Sequence, residues 1–290
     1  MVMATLPLAD DSGSLWYDEY GDGRPLVFVH GGWMNGRSWR PQIDHFADEF
    51  RVVTIDVRGH GNTGATDRTR YSIELFADDL ERLLARLEAD GTRRDGARDD
   101  GAPILCGLSL GSMVVQEFLS RHPDRAAGAI LAGAVRSMPP VGLPAGMKPL
   151  VSPTPAVSTS LSMAGPRTTF RSLLYSIRAT TGGPWLSVDP AVRSTAMDAV
   201  GEISSAEFRK VFDALFRYEP PSLTGVSTPT LVVHGEQEAQ PVVRQGERIA
   251  AAVDDGRHLT LGDAGHLVNQ DRPRAFNDIG EKFLGGLAAV

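Results

Sequence analysis

Short runs of consecutive apolar residues alternate along the chain with stretches whose apolar positions recur every three or four residues. The runs lie at 26–30 (LVFVH), 52–56 (VVTID), 103–108 (PILCGL), 129–132 (AILA), 230–234 (TLVVH) and 258–261 (HLTL). They are rich in β-branched side chains and bounded by Gly, Asp or Pro, which predicts strands. Near-continuous apolar runs predict strands covered on both faces, as in a parallel sheet. The segment 14–20 (SLWYDEY) is more alternating and predicts an antiparallel edge strand.

Helical spacing fills the gaps. Ile73, Phe76, Leu80, Leu83, Leu84 and Leu87 mark one face of a helix that starts near Ser72 and ends at Gly91. Further helices are predicted over 112–120, stopped before Pro123, and over 275–284. Strand and helix in alternation imply an α/β fold with right-handed crossovers.

Two segments break the rhythm. Residues 91–102 (GTRRDGARDDGA) are polar and Gly-rich, and predict a solvated loop. The second break runs from about 136 to 228 and begins with prolines at 139, 140, 144, 149, 153, 155 and 166. Helical stretches follow near 168–180, 190–200 and 206–218. This predicts a core built from residues 1–136 and 223–290, with residues 137–222 inserted as a mainly helical cap over the C-terminal edge of the sheet.

Composition narrows the classes. The chain has 290 residues, 42% hydrophobic and 22% charged, enough for one large domain with an inserted lid. Its formal charge of −7 lacks the basic footprint of a general nucleic-acid binder. No run approaches the roughly 18 apolar residues of a membrane span. The N-terminus has no basic region before its apolar residues, so no signal peptide is expected. Cys106 is the only cysteine, which rules out an intramolecular disulfide. These features together predict a cytoplasmic protein; its oligomeric state is not legible.

The chemistry enters at Gly107-Leu108-Ser109-Leu110-Gly111, a G-x-S-x-G between an apolar run and a helical stretch. That is the context of a nucleophile elbow. Glycines permit a sharp turn that lifts Ser109 above the sheet, and the helix that follows points its free amides at developing negative charge.

With this motif the chain resembles the α/β-hydrolase fold family, from about residue 15 to residue 284. His30-Gly31-Gly32 looks like the family's oxyanion loop, and Asp56-Val57-Arg58-Gly59-His60-Gly61 like its D-x-R-G-x-G turn. His234-Gly235-Glu236-Gln237-Glu238 lies where the family carries its acid, and Gly265-His266 where it carries its histidine. The resemblance implies a mostly parallel sheet flanked by helices, with Ser109 as nucleophile, His266 as base and Glu238 as the acid that orients it. It implies an oxyanion hole from the amides of Gly32 and Leu110, with Trp33 the alternative donor if the loop is shifted by one.

The departure is Glu where the family usually has Asp. Glu236 competes for the role. The other position used in the family, after the run at 129–132, reads Ala132-Gly133-Ala134-Val135-Arg136 and offers no carboxylate. Ser112, where a second glycine often follows the elbow, is expected to alter only helix packing. His30, His60 and Arg58 read as structural. His45, His122, His234 and His258 show no metal-ligand spacing, and Cys106 reads as core. Trp33 and Trp39 either line a pocket or pack.

A serine needs an adjacent base, the base needs an orienting carboxylate, and the tetrahedral oxyanion needs donors. The reading is a serine hydrolase without cofactor or metal, forming an acyl-Ser109 intermediate from an ester, lactone or thioester. Apolar residues of the insertion favour a mid-sized apolar or aromatic small-molecule substrate, with Trp33, Phe170, Trp185 and Phe216 as pocket candidates. Lyases, C–C hydrolases, cyclases and non-enzymatic receptors on the same fold remain alternatives. All the chemical motifs lie outside 137–222. The insertion is therefore expected to set substrate choice and leave the chemical step alone.

Overall fold

The computed structural model describes residues 1–9, 11–89, 101–140 and 152–287. Eight strands form one sheet: β1 (Val2–Pro7), β2 (Ser14–Tyr20), β3 (Pro25–Val29), β4 (Arg51–Asp56), β5 (Ile104–Leu108), β6 (Gly128–Ala132), β7 (Thr230–Gly235) and β8 (Gly256–Leu261). Their spatial order is β1-β2-β4-β3-β5-β6-β7-β8. The pairs β1/β2 and β2/β4 are antiparallel; every other pair is parallel.

Every residue of β3, β5, β6 and β7 is buried, as their unbroken apolar runs predict. The outer strands alternate. In β1 exposure alternates with partial burial towards its end, so one face stays wet. The 14–20 strand is antiparallel as expected, but it is not the edge, because β1 pairs along its outer side. No apolar run announced β1.

Helices cover both faces. They are α1 (Arg40–Phe46), α2 (Ile73–Ala89), α3 (Leu110–Arg121), α7 (Gln240–Ala252), the single turn α8 (Val268–Asp271) and α9 (Pro273–Leu287), while α4 (Thr154–Thr181), α5 (Pro190–Gly201) and α6 (Ser205–Arg217) lie between β6 and β7. The Ser72 hydroxyl accepts the Leu75 amide N–H at 3.1 Å and so caps α2, whose predicted apolar face is fully buried. Its predicted end at Gly91 and most of the 91–102 loop lie outside the described residues. Among the described residues no helix is long and apolar enough to cross a membrane.

The insertion is helical, as expected. Its first helix starts at Thr154, earlier than the 168–180 stretch suggested. Gly165 (φ 73°) breaks it, and Pro166 then starts a second helix. The inserted helices are tied to the core at Glu207. This buried carboxylate of α6 accepts from Tyr71 Oη and, at 2.7 Å, from Lys210 Nζ.

Because β3 to β8 run parallel, the loops after them gather on one edge of the sheet. That edge carries all the predicted chemical motifs.

Candidate active site

Ser109 sits between β5 and α3 with φ 53° and ψ −110°, a conformation that costs a non-glycine residue on the order of 1–3 kcal/mol. The neighbouring glycines explain how the turn closes. A Cβ on Gly107 would lie 2.4 Å from the Gly111 carbonyl oxygen, and one on Gly111 would lie 2.1 Å from that of Val29. The Ser109 amide donates to the Ala132 carbonyl at 2.9 Å, which pins the turn to β6. Ser112 does more than pack. Its hydroxyl donates to the Ser109 carbonyl at 2.6 Å and accepts the Val135 amide at 3.2 Å.

The loop after β3 lies against this turn. A Cβ on Gly31 would be 3.5 Å from that of Ser109, and one on Gly32 3.8 Å from that of Leu110. Among the described residues the amides of Gly32 and Leu110 have no hydrogen-bond partner. The Trp33 amide, the alternative donor, is already taken: it donates to His60 Nε2 at 2.9 Å. This corrects the expectation for Trp33.

Two buried histidines hold the loop. His30 places Nδ1 2.8 Å from the Gly31 carbonyl, and its Nε2 accepts the Val57 amide at 3.1 Å. His60 places Nδ1 2.9 Å from the Arg58 carbonyl. In both rings Nδ1 carries the proton and Nε2 accepts, an assignment made from the partners. Burial pushes His30 down to about 4 and His60 to about 3, so both stay neutral and keep that accepting nitrogen. Asp56 buttresses the same loop by accepting the amides of Gly36 at 2.7 Å and Asn62 at 2.8 Å. Arg58 is fully buried and is paired with Asp79 at 2.6 Å and Asp11 at 3.3 Å.

His266 lies on the loop between β8 and α8. Its Nδ1 is 2.6 Å from Glu238 Oε2, and both side chains are buried. Burial alone would raise the Glu238 carboxyl. The charge and hydrogen bond of His266, with smaller help from His234 and the Trp185 indole, outweigh it and hold Glu238 below the usual carboxylate range. Glu236 turns away, and its Oε2 accepts the Asp263 amide at 3.2 Å. Gly133, the first residue after β6, has no room for a side chain. Gly133 has φ 50°, and a Cβ there would stand 2.7 Å from the His266 carbonyl oxygen.

Ser109 and His266 line one cavity of about 60 Å³ with Gly31, Gly32, Trp33, Met34, Phe170, Trp185, Leu186, Ala196, Val200, Leu215 and Leu267. Three of the pocket candidates, Trp33, Phe170 and Trp185, are on its wall. Phe216 is not; it is buried and stacked on Phe212 with ring centroids 6.3 Å apart. Trp39 is fully buried against Phe28 and belongs to the core, as does Cys106. His234 and His258 meet at 3.0 Å, yet among the described residues no group of three or more metal-ligating side chains occurs.

One contact was not among the expectations. The Trp185 indole N–H donates to Glu238 Oε1, and its ring stacks on His266 with centroids 4.5 Å apart. A residue of the insertion therefore touches the acid and the histidine, which the motif positions alone did not foresee.

The model of the alpha/beta hydrolase family matches residues 26–279. A non-heme chloroperoxidase of Kitasatospora aureofaciens is 34% identical over 134 residues, 45% of this chain and 43% of that protein. The chain thus spans less than half the length of that relative. A Mycobacterium tuberculosis protein described as a putative non-heme bromoperoxidase is 27% identical over 95% of this chain and 99% of its own. Among solved structures, a thermophilic esterase from Thermogutta terrifontis superposes with a TM-score of 0.77 at 21% identity, covering 99% of each chain. The last likeness is one of fold. The match of the family model over most of the sequence, with the motifs in order on one sheet edge, shows that the chain belongs to the alpha/beta hydrolase family.

Proposed function

We propose that the protein is a serine hydrolase that cleaves a small apolar ester, lactone or thioester through an acyl-Ser109 intermediate. The observation that carries this reading is the buried 2.6 Å contact between His266 Nδ1 and Glu238 Oε2 on a histidine that shares its cavity with Ser109. With Nδ1–H given to Glu238, His266 presents Nε2 as the base. It takes the Ser109 proton as Oγ attacks the carbonyl carbon, then returns it to the leaving group. The free amides of Gly32 and Leu110 receive the oxyanion. Water, activated by the same histidine, then releases the acid.

The cavity supports a narrower substrate than the sequence suggested. It is far smaller than the 300–1,000 Å³ typical of drug-sized ligand sites, which suits a short acyl group. The insertion, residues 137–222, acts as the cap that shapes it. The test is turnover of a short p-nitrophenyl ester by Ser109→Ala. We expect kcat to fall by about 10⁴–10⁶, as for other triads, with the fold retained by circular dichroism. Wild-type activity in that variant would remove Ser109 as the nucleophile.

A further inference from the structure

Trp185 lies between α4 and α5, on the insertion, yet its contacts lead away from the inserted helices. The indole N–H and the Ala239 amide (2.9 Å) both donate to Glu238 Oε1, while His266 holds Oε2. Each oxygen of this buried carboxylate is thus engaged, and two of its three donors are backbone amide or triad histidine. The third comes from 53 residues away in sequence. The same indole covers the face of the His266 imidazole, its ring plane 26° from that of the histidine.

The backbone repeats the connection. The His266 amide donates to the Trp185 carbonyl at 2.7 Å, and the Leu267 amide to the Leu186 carbonyl at 2.9 Å. Asp271 clamps the two segments from below. Its carboxylate accepts the Gly265 amide at 2.7 Å on the histidine loop. It also accepts the Val188 amide at 3.0 Å and the Ser187 hydroxyl on the insertion. Residues 185–188 and 265–267 therefore form one hydrogen-bonded unit.

We infer that Trp185 is a positioning residue for the chemical step: it fixes the carboxylate of Glu238 and the plane of His266, so that the histidine is aimed only while this stretch of the insertion is docked. Without the indole, Oε1 keeps only the amide of the adjoining Ala239, so the carboxylate is held less firmly about its terminal torsion, and a tilted imidazole misplaces Nε2. The indole also faces the imidazolium formed during attack, an arrangement that favours the cation. A residue that only walled the pocket would touch substrate, with no need of a bond to the acid.

The inference rests on the serine-hydrolase reading and goes beyond it, and a double-mutant cycle on the full chain separates the two. Trp185→Phe keeps an aromatic wall and removes the N–H. We expect kcat on a p-nitrophenyl ester, normalised to sites labelled by a fluorophosphonate, to fall about 10–100-fold, the scale of one hydrogen bond to a charged group. KM should stay within about threefold. In a Glu238→Ala background the same substitution should change kcat less than about twofold, because its target is gone. An equal loss in both backgrounds, or a change confined to KM, would make Trp185 pocket wall and overturn the inference while leaving the dependence on Ser109 intact. Full activity of Ser109→Ala would instead undo the underlying reading. Should the Phe variant unfold, Trp185→Leu removes the stack on His266 together with the N–H, so some loss persists in the Glu238→Ala background; the loss should still be larger with Glu238 present, and equal losses would overturn the inference.

Discussion

Ser109 and His266, the proposed nucleophile and base, are held by different parts of the molecule. Ser109 is fixed by the core alone, through the strands around it, two glycines that let backbone approach backbone, and the hydroxyl of Ser112. His266 sits on a loop whose amides bond to Trp185 and Leu186 and whose acid is bonded by the Trp185 indole. The first arrangement is built from neighbouring strands of the sheet and cannot move without disturbing it. The second includes contacts with residues 185 and 186 of the insertion. With Ser109 held by the core and His266 on a buried loop bonded to residues 185 and 186, His266 is the part of the site that the insertion touches.

The largest effect on this contrast should come from Glu238. Glu238→Gln keeps the shape and removes the charge that stabilises the imidazolium, and kcat should fall by about 10²–10⁴. Glu236→Gln, which at most weakens the bond accepted from the Asp263 amide, should cost less than about tenfold. Both are read from kcat on one activated ester, with folding checked by circular dichroism. A reversed order would move the acid to Glu236. Little loss at either would place the acid elsewhere or leave a dyad.

The pocket wall should come next. Phe170→Ala enlarges a cavity of about 60 Å³ and should raise kcat/KM for longer acyl chains relative to short ones by roughly tenfold, since one methylene of pocket contact is worth about 1–3 kcal/mol. Phe216→Ala, away from that wall, should leave the chain-length profile unchanged. A shift at Phe216 equal to that at Phe170 would show that the cavity extends further than its lining residues suggest.

The oxyanion loop is tested through stability and pH, with no change in the chemical step itself. His30 and His60 titrate near 4 and near 3 when folded, against about 6.5 when unfolded. Between those values the unfolded chain binds more protons, so stability falls as pH falls. Above pH 6.5 neither histidine contributes a slope. From pH 6.5 to 5 each should cost up to about 1.4 kcal/mol per pH unit. Asp56 and Asp79, raised chiefly by burial, act in the opposite sense closer to the carboxylate range. Chemical unfolding at stepped pH checks this. A midpoint constant from pH 6.5 to 5 would mean that the two rings do not stay neutral.

Legibility in the sequence followed the same division. The central strands were plain because burial on both faces leaves unbroken apolar runs, and the elbow was plain because its glycines and serine are adjacent. The edge strand β1 was missed because its largely exposed residues carry no such run. Helix α7 was missed because its buried positions, Val242, Gln245, Gly246, Ile249 and Ala250, include a glutamine and a glycine that break the apolar periodicity. The resemblance pointed to Glu238 over Glu236, and Glu238 is the carboxylate that meets His266. Gly133 explains in space what the sequence offered only as a missing carboxylate. The Trp185–Glu238 bond had no signal at all, because an indole N–H reaching a residue 53 positions away leaves no spacing to read.

The central claim is that Ser109 becomes acylated by the action of His266 and Glu238. Mass spectrometry of the protein reacted with a fluorophosphonate tests it most directly, comparing wild type with Ser109→Ala and Glu238→Gln. The account predicts one adduct, on the peptide holding Ser109, formed rapidly in wild type, absent in Ser109→Ala and at least about 100-fold slower in Glu238→Gln. An adduct on another residue, or labelling of Glu238→Gln at the wild-type rate, would contradict it.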